Sequence, residues 1–120
     1  MSMDAIKQKG RRVENTLADY LQRWWPHAER RRLRGDADAG DITGTPGVVW
    51  ECKASDQMRS EGMRQLASEV AQDGAEYGVL VERRKRYDVS EWYATMTLEQ
   101  ACQLLAEAGY ADPRTQPDVK

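Results

Sequence analysis

The sequence predicts an α/β domain in which helices flank a central mixed β-sheet. Three observations support this fold class: apolar residues at helical spacing near both ends, an alternating segment at residues 48–53, and a compact apolar run at residues 77–81. A chain of 120 residues, 40% of them hydrophobic, has the size of one domain with one core. We expect that domain to cover residues 1–110 and residues 111–120 to form a flexible C-terminal tail.

The first predicted element is a helix over residues 7–24. Its apolar residues recur at intervals of three, four and seven, which is typical of an amphipathic helix. They are Val13, Leu17, Tyr20, Leu21 and Trp24. Pro26 ends this helix because its ring cannot continue the hydrogen-bond ladder. Residues 28–40 are first basic and then rich in Gly, Asp and Ala, which predicts a strand edge or a loop.

A β-hairpin is predicted over residues 41–53. Two β-prone segments flank a Gly-Thr-Pro-Gly turn. If the hairpin is symmetric about its proline, Asp41 lies directly opposite Glu51. Alternation along the second strand turns Trp50 toward the core and places Lys53 on the same face as Glu51. Opposed carboxylates on one sheet face repel each other, so this pair needs a compensating positive charge, which a divalent cation supplies.

The rest of the pattern predicts a helix over residues 60–72, strands over residues 77–81 and 91–96, and a last helix that begins after Thr97. Gly74 follows the end of the first of these helices. Thr97 and Gln100 have the spacing of a capping box, and Gly109 is the predicted terminator of the last helix. The apolar stripe of that helix comprises Leu98, Ala101, Leu104, Leu105 and Ala108.

Charge is unevenly distributed along the chain. The net charge is −2, yet residues 1–34 hold nine Lys and Arg against four Asp and Glu, and residues 83–86 are all basic. Clustered bases are candidates for contacts with nucleic-acid phosphates, and a solvated surface is the alternative. The candidate phosphate-binding residues are Lys9, Arg11, Arg12, Arg30, Arg31, Arg32, Arg34, Arg83, Arg84, Lys85 and Arg86.

Hydropathy gives no sign of a membrane or export segment. No stretch of eighteen consecutive apolar residues occurs, and no apolar run follows a basic start. We therefore expect no membrane partner and a cytoplasmic location. Cys52 and Cys102 are expected to be buried thiols, since no further cysteines complete a zinc-type set.

Asp41, Glu51 and Lys53 are the candidate catalytic residues. Mg²⁺ prefers hard oxygen ligands, such as one or two carboxylates completed by water and a substrate phosphate, and Mn²⁺ is an expected substitute. The backbone carbonyl of Cys52 could add a ligand, and Lys53 would orient the attacking water or stabilise developing charge. The alternative is that Glu51 and Lys53 form an ordinary surface pair while Asp41 begins a turn.

At these residues the chain resembles the PD-(D/E)xK nuclease superfamily. Gly40-Asp41-Ile42 stands where the family has a Pro-Asp-Ile element, with glycine in place of proline, and Glu51-Cys52-Lys53 matches the acid-x-Lys element. The layout over residues 7–108 is similar to that of small Holliday-junction resolvases and related phage nucleases. The resemblance implies a restriction-endonuclease-like core, a homodimer, and metal-dependent, structure-selective cleavage of branched DNA in recombination and repair in a bacterial or phage-infected cytosol.

The resemblance also implies two further site residues. Glu14 matches the acidic residue of the family's N-terminal helix, which completes the metal site; a plain surface glutamate is the alternative. Gln65 is similar to a glutamine that some branches place near the active site. Gln57, Glu61 and Glu69 are nearby alternatives to Gln65.

Several alternatives stay open at this level. The chain could be a superfamily nuclease that acts on single-stranded or flap DNA, or a non-catalytic nucleic-acid-binding module that retains the fold; Mg²⁺-dependent cleavage separates an enzyme from a binding module. Asp38 has no assigned role. The tryptophans could stack on bases, although their spacing suits burial, with Trp25 as the expected exception.

Overall fold

The computed structural model describes residues 3–31, 40–53 and 59–112, with side chains from Gln8 onward. Arg32, Arg34, Asp38, Gln57 and the predicted tail beyond Asp112 lie outside the described residues. The elements in chain order are α1 (Met3–Leu21), β1 (Glu29–Arg30), β2 (Ile42–Thr43), β3 (Val48–Lys53), α2 (Arg59–Asp73), β4 (Tyr77–Glu82), a 3₁₀ helix (Val89–Glu91), β5 (Tyr93–Thr95) and α3 (Leu98–Glu107).

The strands form a mixed three-stranded sheet and a separate two-stranded ladder. In the larger sheet β3 runs parallel to β4, and β5 runs antiparallel to β4, so the predicted mixed sheet is confirmed. The smaller ladder pairs β1 with β2, with Arg30 opposite Ile42. The predicted hairpin of β2 with β3 is therefore wrong. β3 pairs instead with β4 through the α2 crossover, which lets both strands be buried on two faces.

Helices cover both faces of the three-stranded sheet. On one face Leu17 and Leu21 of α1 pack in a cluster with Trp50 and Val81. On the other face Leu66 of α2 packs against Val49 and Leu80. The predicted alternation along β3 is confirmed, but the face that carries Glu51 is buried as well, because α2 lies over it. The domain thus has three layers, with the parallel strand pair at its centre.

The helix boundaries follow the sequence signals closely. α1 begins at Met3, four residues before the predicted start, and ends at Leu21, three residues before the predicted end; α2 and α3 match their predictions within a residue or two. The hydroxyl of Thr97 accepts a hydrogen bond from the Gln100 N–H at 3.2 Å, as the capping signal predicts. The side chain of Gln100 does not return to the cap; it accepts from the Gly78 N–H at 3.0 Å and so ties α3 to β4.

Two predictions about exposure are wrong. Cys102, which was expected to be a buried thiol, is exposed on α3, where Leu98 is 79% and Leu105 51% exposed. Trp24 is 58% exposed, whereas Trp25 is partly buried with its ring edge against Trp50, so the exceptional tryptophan is Trp24. Within the part of the chain that the structure describes, no helix is long and apolar enough to cross a membrane.

Gly44→Ala is expected to lower the free energy of unfolding by more than about 2 kcal/mol, because it combines backbone strain with a backbone collision. Gly44 has φ +87°, and a Cβ there would lie 2.1 Å from the His27 carbonyl oxygen. Gly47→Ala is the matched control: Gly47 has φ +83°, but a Cβ would meet nothing within 4 Å. The control should cost only about 1 kcal/mol. Urea denaturation measures both; equal losses would contradict the proposed collision.

Candidate functional site

The candidate site lies at the edge of β3 that faces away from β4. There the Asp41 N–H donates to the Trp50 carbonyl oxygen at 2.8 Å, and the Cys52 N–H donates to Asp41 Oδ2 at 2.7 Å. Asp41 therefore flanks Glu51, although no hairpin brings it there. The N–H and C=O of one strand residue point to the same edge, so the Cys52 carbonyl also faces Asp41.

Glycine is required at the position before Asp41. Gly40 has φ +94°, a conformation that side chains disfavour, and it is buried. A Cβ there would lie 2.7 Å from Val49 Cγ1 and 2.8 Å from the Trp50 carbonyl oxygen. Neither proline nor any other side chain fits at this position.

Glu51 is a deeply buried acid of this edge. Its side chain projects toward α2, the residue is 3% exposed, and its Oε2 atom has no hydrogen-bond partner among the described residues. Burial raises the pKa of Glu51 well above its ordinary value of 4.5, and the neighbouring carboxyl groups of Asp41 and Glu69 raise it further. Without a cation, the Glu51 carboxyl is therefore protonated at neutral pH.

Glu69 is the residue that α2 contributes to the site. It is 2% exposed, and it lies on the helix face that also buries Gly62 and Leu66. Gln65, the sequence candidate from this helix, is exposed and donates from Nε2 to Glu69 Oε2 at 3.2 Å. Gln65 thus reaches Glu51 only through Glu69. The spacing of Gly62, Leu66 and Glu69, four and then three residues, could have indicated the correct face.

Glu14 approaches the same edge from α1. It is half-buried, and its Oε1 lies 4.0 Å from Arg30 Nη1. Burial and the charge of Asp41 raise the pKa of Glu14 to about 7, while Arg30 and Arg11 oppose the shift. The Cys52 thiol is a common neighbour of three acids: burial raises its pKa, and the charges of Asp41, Glu14 and Glu51 raise it further.

Lys53 ends β3 on the same face as Glu51. Its stem lies against α2 at Gly62, where a Cβ would be 3.2 Å from Lys53 Cε. Within the described residues no carboxylate lies within 4.0 Å of its ammonium group. The register neighbour Glu82 is instead held by Arg59 through two hydrogen bonds of 2.7 and 3.0 Å, which lower the pKa of Glu82. No described acid therefore competes with an anionic ligand for Lys53.

The basic residues fall on both sides of this edge. On α1 the side chains of Lys9, Arg11 and Arg12 are exposed, and the Arg31 N–H donates to the Asp41 carbonyl oxygen at 2.8 Å. The Arg83 N–H donates to the Lys53 carbonyl oxygen at 2.9 Å, which places residues 83–86 beside Lys53.

The cluster at residues 83–86 has two kinds of member. The Arg84 guanidinium lies 3.7 Å from the ring centre of Tyr87 and 4.2 Å from that of Tyr93, and it donates to the Glu91 carbonyl oxygen at 2.9 Å. The Arg84 side chain thus stabilises the connection between β4 and β5. Lys85 and Arg86 are exposed, so they are the members best placed to contact an external phosphate.

The carboxyl groups suit a hard cation, although they form no complete ligand set. Among the described residues no three His, Cys, Asp or Glu side chains are arranged to hold a metal ion, so Glu14, Asp41 and Glu51 are not a preformed triad. Two carboxylates with a backbone carbonyl, water and a substrate phosphate suffice for Mg²⁺. Asp41, Glu51 and the Cys52 carbonyl supply that smaller set, and a cation would compensate the buried Glu51 carboxyl, whose Oε2 receives no hydrogen bond from a described N–H or O–H donor.

Comparisons with protein-family models, with characterised proteins and with solved structures return no match.

Proposed function

We propose that this protein is a Mg²⁺-dependent endonuclease that hydrolyses phosphodiester bonds in branched DNA at the edge of β3. The observation that carries the proposal is the buried Glu51 carboxyl, which lies against the carboxyl groups of Asp41 and Glu69 and whose Oε2 receives no hydrogen bond from a described N–H or O–H donor. A buried acid beside a second acid is costly, and such groups concentrate at functional sites. Lys53 on the same face supplies the positive charge that phosphodiester hydrolysis needs.

The chemistry divides among a few residues. Water oxygen bonds to phosphorus as the bond from phosphorus to the leaving sugar oxygen breaks; the attacking water loses a proton and the leaving oxygen gains one. Asp41 and Glu51 would hold Mg²⁺, whose contribution would be to make the attacking water more acidic and to stabilise charge on the phosphate. Lys53 stabilises the charge that develops on the phosphate oxygens.

Glu69 acts on the site through Glu51. Glu69 helps to keep Glu51 protonated, so cation binding must release the Glu51 proton. Glu14 is a peripheral acid whose pKa of about 7 lets it exchange protons near neutral pH. Glu69 thus positions Glu51 and Glu14 exchanges protons at the periphery, whereas Asp41, Glu51 and Lys53 are the residues proposed to act on the phosphate.

The charges around the edge support a nucleic-acid substrate. Arg11 and Arg30 lie near Glu14 on one side, and Lys85 and Arg86 extend from the end of β4 on the other. Bases on both sides of an acidic centre hold a phosphate backbone without reading base sequence. The preference for a branched structure rests on the resemblance to junction resolvases.

The test is a cleavage panel of four-way junction, flap, single-stranded and linear duplex DNA with Mg²⁺, repeated with Ca²⁺. The proposal expects cleavage of the four-way junction with Mg²⁺ and binding without cleavage in Ca²⁺. Preferential cleavage of flap or single-stranded DNA would retain the nuclease and reject the junction specificity. Binding of every DNA with no cleavage in Mg²⁺ or Mn²⁺ would instead indicate a binding module.

Replacing both Lys85 and Arg86 by glutamine should weaken DNA binding and flatten its salt dependence. Each lost phosphate contact reduces the slope of log affinity against log salt by about 0.9. Fluorescence anisotropy across a salt series measures this slope. Arg64→Gln is the control, because Arg64 is exposed on α2 and belongs to neither basic group. An unchanged slope in the double variant would show that these residues are ordinary surface.

A further inference from the structure

An exposed tyrosine lies on the same face of the sheet as Lys53. In the strand register Lys53 is opposite Glu82 of β4, and Glu82 is opposite Tyr93 of β5. Side chains of directly opposed residues point to the same face, so these three form one row across the sheet. Trp92 and Ala94 point to the other face, where they line an apolar groove against α1. Two strand spacings, about 10 Å in all, separate the backbones of Lys53 and Tyr93.

Arg84 holds Tyr93 together with a second tyrosine. Its guanidinium lies 4.2 Å from the ring centre of Tyr93 and 3.7 Å from that of Tyr87, so one cation fixes both rings. Tyr93 is nevertheless 54% exposed and Tyr87 50% exposed. These two residues form a tyrosine platform. Because its rings are already held in place, a planar ligand that stacks on them immobilises little further side-chain motion.

Glu82 does not repel an anion from this row, because its charge is compensated. It is 2% exposed, and Arg59 donates to it through hydrogen bonds of 2.7 and 3.0 Å. The Thr95 hydroxyl also donates to Glu82 Oε1, at 3.4 Å. A DNA strand that places a phosphate at Lys53 can therefore continue over Glu82 toward Tyr93.

The connection that carries the tyrosine platform is basic. Residues 83–93 hold four bases against two acids, a net charge of +2, and one of the acids, Asp88, accepts two hydrogen bonds from Ser90. Arg86 is exposed and has φ +73°, a conformation that favours glycine, and strained residues of this kind cluster at functional sites. Single-stranded nucleic acids are bound by this combination, since the bases stack on aromatic rings and cations hold the backbone.

We propose that an unpaired base of the cleaved DNA strand stacks on Tyr93 while the strand's phosphate lies at Lys53. This inference rests on the proposed nuclease function, and it makes an unpaired base at the branch point the feature that the protein recognises. The base lies to one side of its own backbone, so the separation between Lys53 and Tyr93 suits a nucleotide next to the scissile phosphate. Stacking accepts every base, so the tyrosine platform selects DNA structure and not sequence.

The test measures binding in Ca²⁺ by fluorescence anisotropy, so it does not depend on cleavage. Two four-way junctions are compared, each with an extra unpaired nucleotide on every strand at the branch point. The nucleotide is a deoxyadenosine in one junction and an abasic residue in the other. The wild type should bind the deoxyadenosine junction at least about fivefold more tightly, which corresponds to the stacking of a single base. Tyr93→Leu and Tyr93→Thr should lose this preference, and Tyr93→Phe, which keeps the ring, should retain it.

Tyr110→Leu is the matched control, because Tyr110 is 81% exposed and follows α3, outside the sheet. It should show the wild-type preference. A general defect in a Tyr93 variant would weaken binding of both junctions alike, so the ratio of the two dissociation constants isolates the stacking. This ratio is a double-mutant cycle between the ring and the base.

The outcomes separate the stacking from the nuclease activity. Equal binding of the two junctions by the wild type, or a preference that both ring-free variants retain, would overturn the inference even if the protein cleaves DNA. The expected preference without cleavage in Mg²⁺ or Mn²⁺ would support the stacking and reject the nuclease. A wild type that binds neither junction would overturn both.

Discussion

Glu51→Gln should reduce Mg²⁺-dependent cleavage of a four-way junction by at least about a hundredfold while leaving junction binding in Ca²⁺ nearly unchanged. Glutamine keeps the size of the buried side chain but cannot provide a negative charge for a cation. Lys53→Met should give a loss of similar size, because the phosphate then lacks its positive partner on that face. Single-turnover cleavage and fluorescence anisotropy measure the two effects separately.

Glu61→Gln is the matched control for this experiment. Glu61 is an exposed acid in the first turn of α2, one residue before the glycine that contacts Lys53, and its loss should leave the cleavage rate unchanged. Thermal denaturation of each variant excludes unfolding as the cause of lost activity. Full-rate cleavage by both Glu51→Gln and Lys53→Met would falsify the assignment of the active site.

The stability of the protein should depend on pH through Glu51. In the folded chain the pKa of Glu51 is raised by burial, whereas in the unfolded chain it lies near 4.5. As the pH rises above that value, the unfolded chain releases a proton that the folded chain retains, so this group's contribution to folding stability falls, by up to about 1.4 kcal/mol per pH unit. Glu51→Gln removes the titration. Its melting temperature should therefore rise relative to the wild type between about pH 5 and pH 8.

Mg²⁺ provides the second arm of this experiment. A cation binds the ionised carboxylate and displaces its proton, so Mg²⁺ should raise the melting temperature of the wild type more at higher pH. It should stabilise Glu51→Gln much less at any pH. Glu61→Gln should follow the wild type in both respects. Parallel pH profiles for Glu51→Gln and the wild type would show that the Glu51 carboxyl ionises normally, which would remove the main physical support for the site.

Local signals in the sequence predicted most of the secondary structure. Thr97 caps α3, and Gly109 at φ +95° ends it with the Tyr110 N–H donating to the Leu105 carbonyl oxygen at 2.9 Å. Alternation along β3 placed Glu51 and Lys53 on one face. These features were predictable because each depends on residues only a few positions apart. Backbone sterics, hydrogen bonds at helix ends and the direction of side chains along a strand determine them.

The proximity of Asp41 to Glu51 was predicted by an incorrect route. A tight reversal at residues 44–47 brings the two segments together whether or not they pair as strands, so the juxtaposition survived the loss of the hairpin. β3 pairs with β4 because the crossover through α2 buries both faces of these two apolar strands. The sequence of residues 41–53 alone therefore could not have predicted that β3 pairs with β4.

Sequence pattern was sufficient for the helices, the strand faces and the acid-x-Lys element, because these follow from short-range geometry. Other features depend on residues far apart in the chain. They are the burial of Glu51 and Glu69, the stacking of Arg84 on the rings of Tyr87 and Tyr93, and the exposure of the apolar face of α3. Long-range packing sets the solvent access of each group. Solvent access in turn sets the protonation of the acids and the availability of each surface for a ligand or a partner.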